Sequence, residues 1–109
     1  MKATAQATHG FHATMTARPG KRDELIELLL SAVAAGGPAT NESCLFYIVS
    51  RSAGNENVVH VTEGWTTKDA HSANFARDAS RALMARISAL ITDGTQYHDE
   101  VPIGGKFPA

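Results

Sequence analysis

The amino-acid sequence predicts an α+β domain of ferredoxin-like type, with βαββαβ order, an antiparallel sheet and helices on one face. Three observations carry this. Short runs alternate apolar and polar residues or are dense in β-branched and aromatic ones, longer runs repeat at the helical period, and Gly, Pro or Asn clusters separate them. At 109 residues the chain has the length of one domain, and its 43% apolar content is ordinary for a globular protein.

Residues 1–8 are small and polar with no period, so they read as a flexible arm; 9–103 read as the domain and 104–109 as a tail. In "HGFHATMTA", from His9 to Ala17, Phe11, Ala13 and Met15 alternate with His12, Thr14 and Thr16, the period of a strand that ends at Arg18-Pro19-Gly20. "KRDELIELLLSAVAA" puts Leu25, Leu28, Leu29, Ala32 and Val33 on one helical face, with Asp23 and Glu24 in the first turn, where the helix dipole favours carboxylates. Gly36-Gly37-Pro38 stops it.

"CLFYIVSR" and Val58 to Trp65 flank the turn residues "SAGNEN" and predict an antiparallel hairpin. Thr66 to Asp69 has the form of a helix start, with Thr66 as cap, and a short helix runs to about Phe75. In "RDASRALMARISALITDG", Leu83, Ile87, Leu90 and Ile91 share a face, and Gly94 ends the helix. "TQYHDEVPI" supplies the last strand. Apolar neighbours such as Ile48 and Val49, or Val58 and Val59, point to opposite faces, so the helix-free side of the sheet also carries apolar residues. A homodimer packed sheet to sheet would cover it.

Composition excludes several classes. Ten basic against 11 acidic residues give a net charge of -1, which offers no electrostatic attraction to nucleic acid or anionic membrane. No apolar run is long enough to span a bilayer and no signal peptide is evident, so a cytoplasmic location is expected. The lone Cys44, inside an apolar run, reads as a small buried core residue. His9 and His12 are three apart on a strand and face opposite ways, while His60, His71 and His98 sit on other elements without a Cys or carboxylate at ligand spacing, so no metal site is expected. There is neither a Gly-rich phosphate loop nor a Gly-x-Ser-x-Gly elbow. What remains is the end of the third strand, where Val61, Glu63 and Trp65 share a face and hand over to a helix with His71, Asn74 and Phe75 at i, i+3 and i+4. Such a junction either plugs the core or lines an apolar pocket carrying a few polar groups.

Four motifs in order, Pro19-Gly20-Lys21, Ser43-Cys44-Leu45-Phe46-Tyr47, Glu63-Gly64-Trp65 and Ala70-His71-Ser72-Ala73-Asn74, give the chain a resemblance to the antibiotic biosynthesis monooxygenase family, also met as quinol monooxygenases. The resemblance runs from about His9 to Ile103 and implies a dimeric α/β barrel. It also implies oxidation of a phenolic, anthrone or quinol-type aromatic to a quinone with O2 and no cofactor. Asn74 stands where many members have His, and Ser43 where they have Gly. On this resemblance Trp65, Asn74 and His71 are the expected catalytic residues. Trp65 would supply a flat wall and an N–H donor, Asn74 would hold an oxyanion, and His71 or His12 would take the proton. Tyr47, His12 and Phe75 are the expected substrate-binding residues. A haem-degrading branch of the superfamily is disfavoured, because Phe75 to Arg86 contains no His. The alternative is a non-catalytic dimer that binds small aromatics or serves a stress response.

Overall fold

A computed structural model describes residues 6–106. The strands are β1 (His9–Thr16), β2 (Cys44–Arg51), β3 (Val58–Trp65) and β4 (Gln96–Glu100); the helices are α1 (Arg22–Leu30), α2 (Lys68–Phe75) and α3 (Asp78–Ser88). The strands form one antiparallel sheet in the order β2-β3-β1-β4, the arrangement the βαββαβ pattern predicts. The two halves of the pattern interleave, so β1 and β3, the first strand of each half, are central and β2 and β4, the second strand of each half, form the edges.

The alternation read from β1 holds. Phe11, Ala13 and Met15 face the helices, paired across β3 with Glu63, Val61 and Val59. Ala13, Met15, Val59 and Val61 join Leu25, Leu28 and Leu29 of α1 and Ile87 of α3 in the buried core. A side chain such as Leu25, with no exposed surface, removes enough apolar area to contribute about 2–3 kcal/mol.

Several boundaries differ from expectation for local chemical reasons. The first helix stops at Leu30 and tightens into a 3-10 turn over Ser31–Val33, because the Ser31 hydroxyl bonds back to the Leu28 carbonyl. That rotation leaves Val33 exposed rather than on the apolar face. The cap of α2 is Thr67, not Thr66: its hydroxyl accepts from the Ala70 N–H at 3.0 Å. The run after Phe75 yields a helix only to Ser88; Leu90 closes a final turn, and Ile91 bridges to Ala17 beside β1. Gly94 takes its positive φ of 93° beyond that point, in the turn before β4. The last strand is shorter than its motif and ends at Glu100.

Part of the expected N-terminal arm is anchored. Ala7 is buried, and the Thr8 N–H donates to the Trp65 carbonyl at 3.0 Å. The rest of that arm, 1–5, and tail residues 107–109 lie outside the described residues. Cys44 is only half-buried; partial burial pushes its thiol up to about 11, which makes it inert as a nucleophile.

The helix-free face of the sheet is less apolar than the sequence suggests. Thr62 Oγ1 lies 3.1 Å from His12 Nδ1, Thr14 Oγ1 lies 3.1 Å from His60 Nδ1, and the two imidazoles stack at 5.5 Å. Apolar contacts on this face gather instead around Phe46 and Ile48. Phe46 lies across Gly64, where a Cβ would collide with its ring. Among the described residues no helix is long and apolar enough to cross a membrane.

Candidate functional site

Between sheet and helices lies a cavity of about 90 Å3. Phe11 and Ala13 form its floor with Tyr47, Glu63 and Trp65; α2 supplies His71, Asn74 and Phe75, and Pro38 and Ala39 roof one side. It follows from two periodicities meeting, since the odd residues of β1 and β3 face α2, and α2 turns one side of its i, i+3, i+4 row toward them. The lining is mostly hydrocarbon, so the few polar groups in it are the informative ones.

Glu63 is the first of these. Its side chain keeps only 13% exposure, and desolvation holds its carboxyl above the usual carboxylate range, opposed by a hydrogen bond from Trp65. That bond runs from Trp65 Nε1 to Glu63 Oε1 at 2.9 Å. Oε2 has no hydrogen-bond partner among the described residues. Trp65 is itself sealed, at 1% exposure, so the indole serves as wall and clamp together.

His71 lies beside this carboxylate, with Nε2 3.8 Å from Glu63 Oε1. Its ring is packed among Phe11, Trp65 and His9 at centroid distances of 4.8, 5.1 and 5.1 Å. Burial lowers its pKa, the neighbouring His9 adds to that, and Asp99 works against both. The imidazole is therefore neutral at neutral pH.

Asn74 is buried, with its amide oxygen and one of its two N–H groups engaged. Its Nδ2 donates to the Pro38 carbonyl at 3.0 Å, and its Oδ1 accepts from Asn41 Nδ2 at 3.2 Å. Tyr47 donates its hydroxyl to the Leu29 carbonyl at 3.0 Å, and burial with the nearby Glu63 pushes its phenol far above the ordinary range. Phe75, half exposed, stands at the rim.

Five of the six residues expected from sequence thus meet here: Trp65, Asn74, His71, Tyr47 and Phe75. His12 does not. It occupies an even position of β1, so its ring lies on the far face with Thr62 and His60. Glu63 and His9 were missed as site residues. The signal for Glu63 was present, because alternation sets it on the same face as Trp65. His9 required the sheet order.

A second, outer cavity of about 350 Å3 opens beyond the first and shares with it Phe11, His71, Phe75, Met84 and Tyr97. His9, Lys68 and Asp99 line its far side. His9 Nε2 is 3.2 Å from His71 Nδ1 and 3.4 Å from Asp99 Oδ1. The expectation that the histidines lack a carboxylate partner is therefore corrected. β4 pairs with β1 and places Asp99 opposite Phe11, diagonal to His9 and on its face.

Comparison with known proteins agrees with this architecture. The family model described as antibiotic biosynthesis monooxygenase matches residues 8–86. No curated protein sequence matches the chain. Among solved structures, a protein of Chloroflexus aurantiacus J-10-fl provisionally called an antibiotic biosynthesis monooxygenase is 28% identical, with a TM-score of 0.76 over 91% of this chain and 96% of that one. A similarly named protein of Caulobacter crescentus CB15 is 25% identical, with a TM-score of 0.79 over 92% and 93%. A conserved protein of Methanosarcina mazei Go1, 16% identical, shares the fold with a TM-score of 0.79 over 89% and 94%.

Proposed function

The chain belongs to the antibiotic biosynthesis monooxygenase family, and on that premise we propose that it is a cofactor-independent monooxygenase, oxidising a phenolic, anthrone or quinol-type aromatic to a quinone with O2. The observation that carries the reading is Glu63, a carboxylate desolvated inside an apolar cavity with one oxygen clamped by Trp65 and the other without a hydrogen-bond partner among the described residues. Burial makes it a stronger base than a surface carboxylate, and a base near its operating pH is effective in proton transfer. Glu63 takes the acidic proton of the bound arene. The carbanion-like anion passes one electron to O2, and the radical pair joins through a C–O bond. The peroxide anion takes that proton back from Glu63, and the resulting hydroperoxide loses water, leaving one oxygen atom in the quinone and the other in the water. Neutral His71, with Nε2 3.8 Å from the clamped oxygen, borders the carboxyl that holds this proton.

The dimensions support a ligand spanning both cavities. An apolar cavity of roughly 150 Å3 holds benzene, so the inner 90 Å3 admits one ring only after Phe75 or Met84 moves aside. The outer 350 Å3 takes the remainder of a larger arene. Homodimerisation through the helix-free face belongs to the same reading. It is supported by Ile48 on that face and by Val101 and Ile103, which lie exposed after β4. A cytoplasmic location is in keeping with the single unpaired cysteine.

The test is oxygen uptake and quinone formation by metal-free protein across a panel of anthrones and hydroquinones. Turnover above the uncatalysed rate is expected, reduced by Glu63→Gln at least ~100-fold. Folded protein that yields no product from any member under air would sink the proposal. A second reading, a non-catalytic dimer binding small aromatics, is favoured by one observation: the Trp65 N–H and one N–H of the Asn74 amide are already bonded within the protein, so neither of these is free to hold an oxyanion. Under that reading an aromatic ligand raises the melting temperature while oxygen consumption stays at background.

A further inference from the structure

We propose that His9 Nε2, His71 Nδ1 and Asp99 Oδ1 form a three-ligand site for a divalent transition cation of the zinc or cobalt class, at the mouth of the inner cavity. The three atoms lie within 4.8 Å of one another. Bonds of about 2.0–2.1 Å in tetrahedral geometry set neighbouring ligand atoms ~3.3–3.4 Å apart. The His9–His71 and His9–Asp99 separations of 3.2 and 3.4 Å match those edges without movement. Asp99, with 63% of its side chain exposed, swings to complete the third.

Chemistry around the triad favours a cation. Two imidazoles and a carboxylate are the ligand types that borderline divalent metals prefer. In the metal-free protein the facing nitrogens of His9 and His71 share a hydrogen bond, so one of them carries the proton. Bound metal replaces that proton, and His9 keeps a neutral ring by carrying its hydrogen on Nδ1. His71 then turns Nε2 toward Glu63, which Trp65 already holds. A carboxylate behind a ligating histidine is the arrangement that fixes its ring and raises its basicity. The carboxylates of Asp99 and Glu63 together balance a dication, against the single opposing charge of Lys68 on the groove wall. Solvent reaches the site through the outer cavity, leaving the remaining coordination positions to water or to a ligand's oxygen.

The site shares His71 with the proposed oxidation, but its test reads the metal and not turnover, so the two can fail separately. Untagged, chelator-treated full-length protein is titrated with Co2+, following visible d–d absorption and heat, and then with Zn2+ in competition. One Co2+ per chain is expected, with the absorption of a low-coordinate N/O site that Zn2+ bleaches. Asp99→Asn, at an exposed position that does not endanger folding, weakens binding at least 10-fold, and His9→Gln weakens it further. His98→Gln, on the neighbouring residue but the other face, leaves it unchanged. No saturable binding, equal binding by Asp99→Asn and the parent, or loss on His98→Gln would each overturn the assignment.

Discussion

The two faces of the sheet carry the same number of histidines on β1, yet they are built on opposite plans. On the helix side, His9 meets His71 and Asp99 and borders an apolar cavity holding Glu63. On the far side, His12 is matched with Thr62, and His60 with Thr14, each imidazole answered by a hydroxyl one strand away. Polar groups on the far face are satisfied in imidazole–hydroxyl pairs. Those on the helix side include a carboxylate held away from water and an imidazole whose protonation is suppressed. Perturbed groups of that kind are costly to maintain and mark where a protein retains chemistry.

Substitutions graded across the two faces test this contrast. Trp65→Ala removes the largest fully buried side chain and should cost about 3–5 kcal/mol in urea unfolding, enough to abolish folding of a marginal domain. Glu63→Gln should act in two directions. A carboxyl whose pKa is raised in the fold contributes stability that is present below its unfolded value and lost as pH rises through the folded one. The glutamine variant, whose amide oxygen still accepts from Trp65, should therefore melt at the parent's temperature in acid and above it at pH 8, while turnover falls. A melting temperature below the parent's at pH 8 would contradict a desolvated carboxylate at this position.

Trp65→Phe sharpens the point. It deletes the hydrogen bond that restrains Glu63, so the carboxyl pKa should climb further and the acid limb of the rate profile should move to higher pH. On the far face, Gly64→Ala drives a methyl into the Phe46 ring and should cost about 1–3 kcal/mol without altering the pH profile. His12→Ala should be the mildest, losing one hydrogen bond worth about 1 kcal/mol and leaving turnover within twofold. A large effect of His12→Ala on the rate would return that residue to the site.

The strands, their pairing and the placement of five of the six expected site residues were legible because they depend on strand alternation and the helical period, both of which are local. His12 was misassigned against that same alternation, since Phe11 and Ala13 already occupied the inward positions of β1. The His9–Asp99 proximity was not legible, because those residues are 90 positions apart and meet only once β4 docks beside β1. The roles given to Asn74 and Trp65 depend on hydrogen-bond partners, and no spacing reveals that the Pro38 carbonyl has taken one Asn74 N–H and Glu63 the Trp65 N–H. Helix ends were shifted by single hydroxyls, Ser31 and Thr67, competing for backbone partners.

The Asn41–Asn74–Pro38 contacts bear on kinetics as well as shape. They pin the segment that roofs the inner cavity to α2 through two hydrogen bonds. If each contributes about 1 kcal/mol net, the unlatched roof is populated at roughly 3%. A guest entering from that side would wait on the latch, so its association rate would run about thirtyfold below that of an always-open cavity, while a guest already inside would be retained by the same factor. Asn74 would then govern how long a molecule stays, a quantity set by mechanics and invisible in any equilibrium affinity.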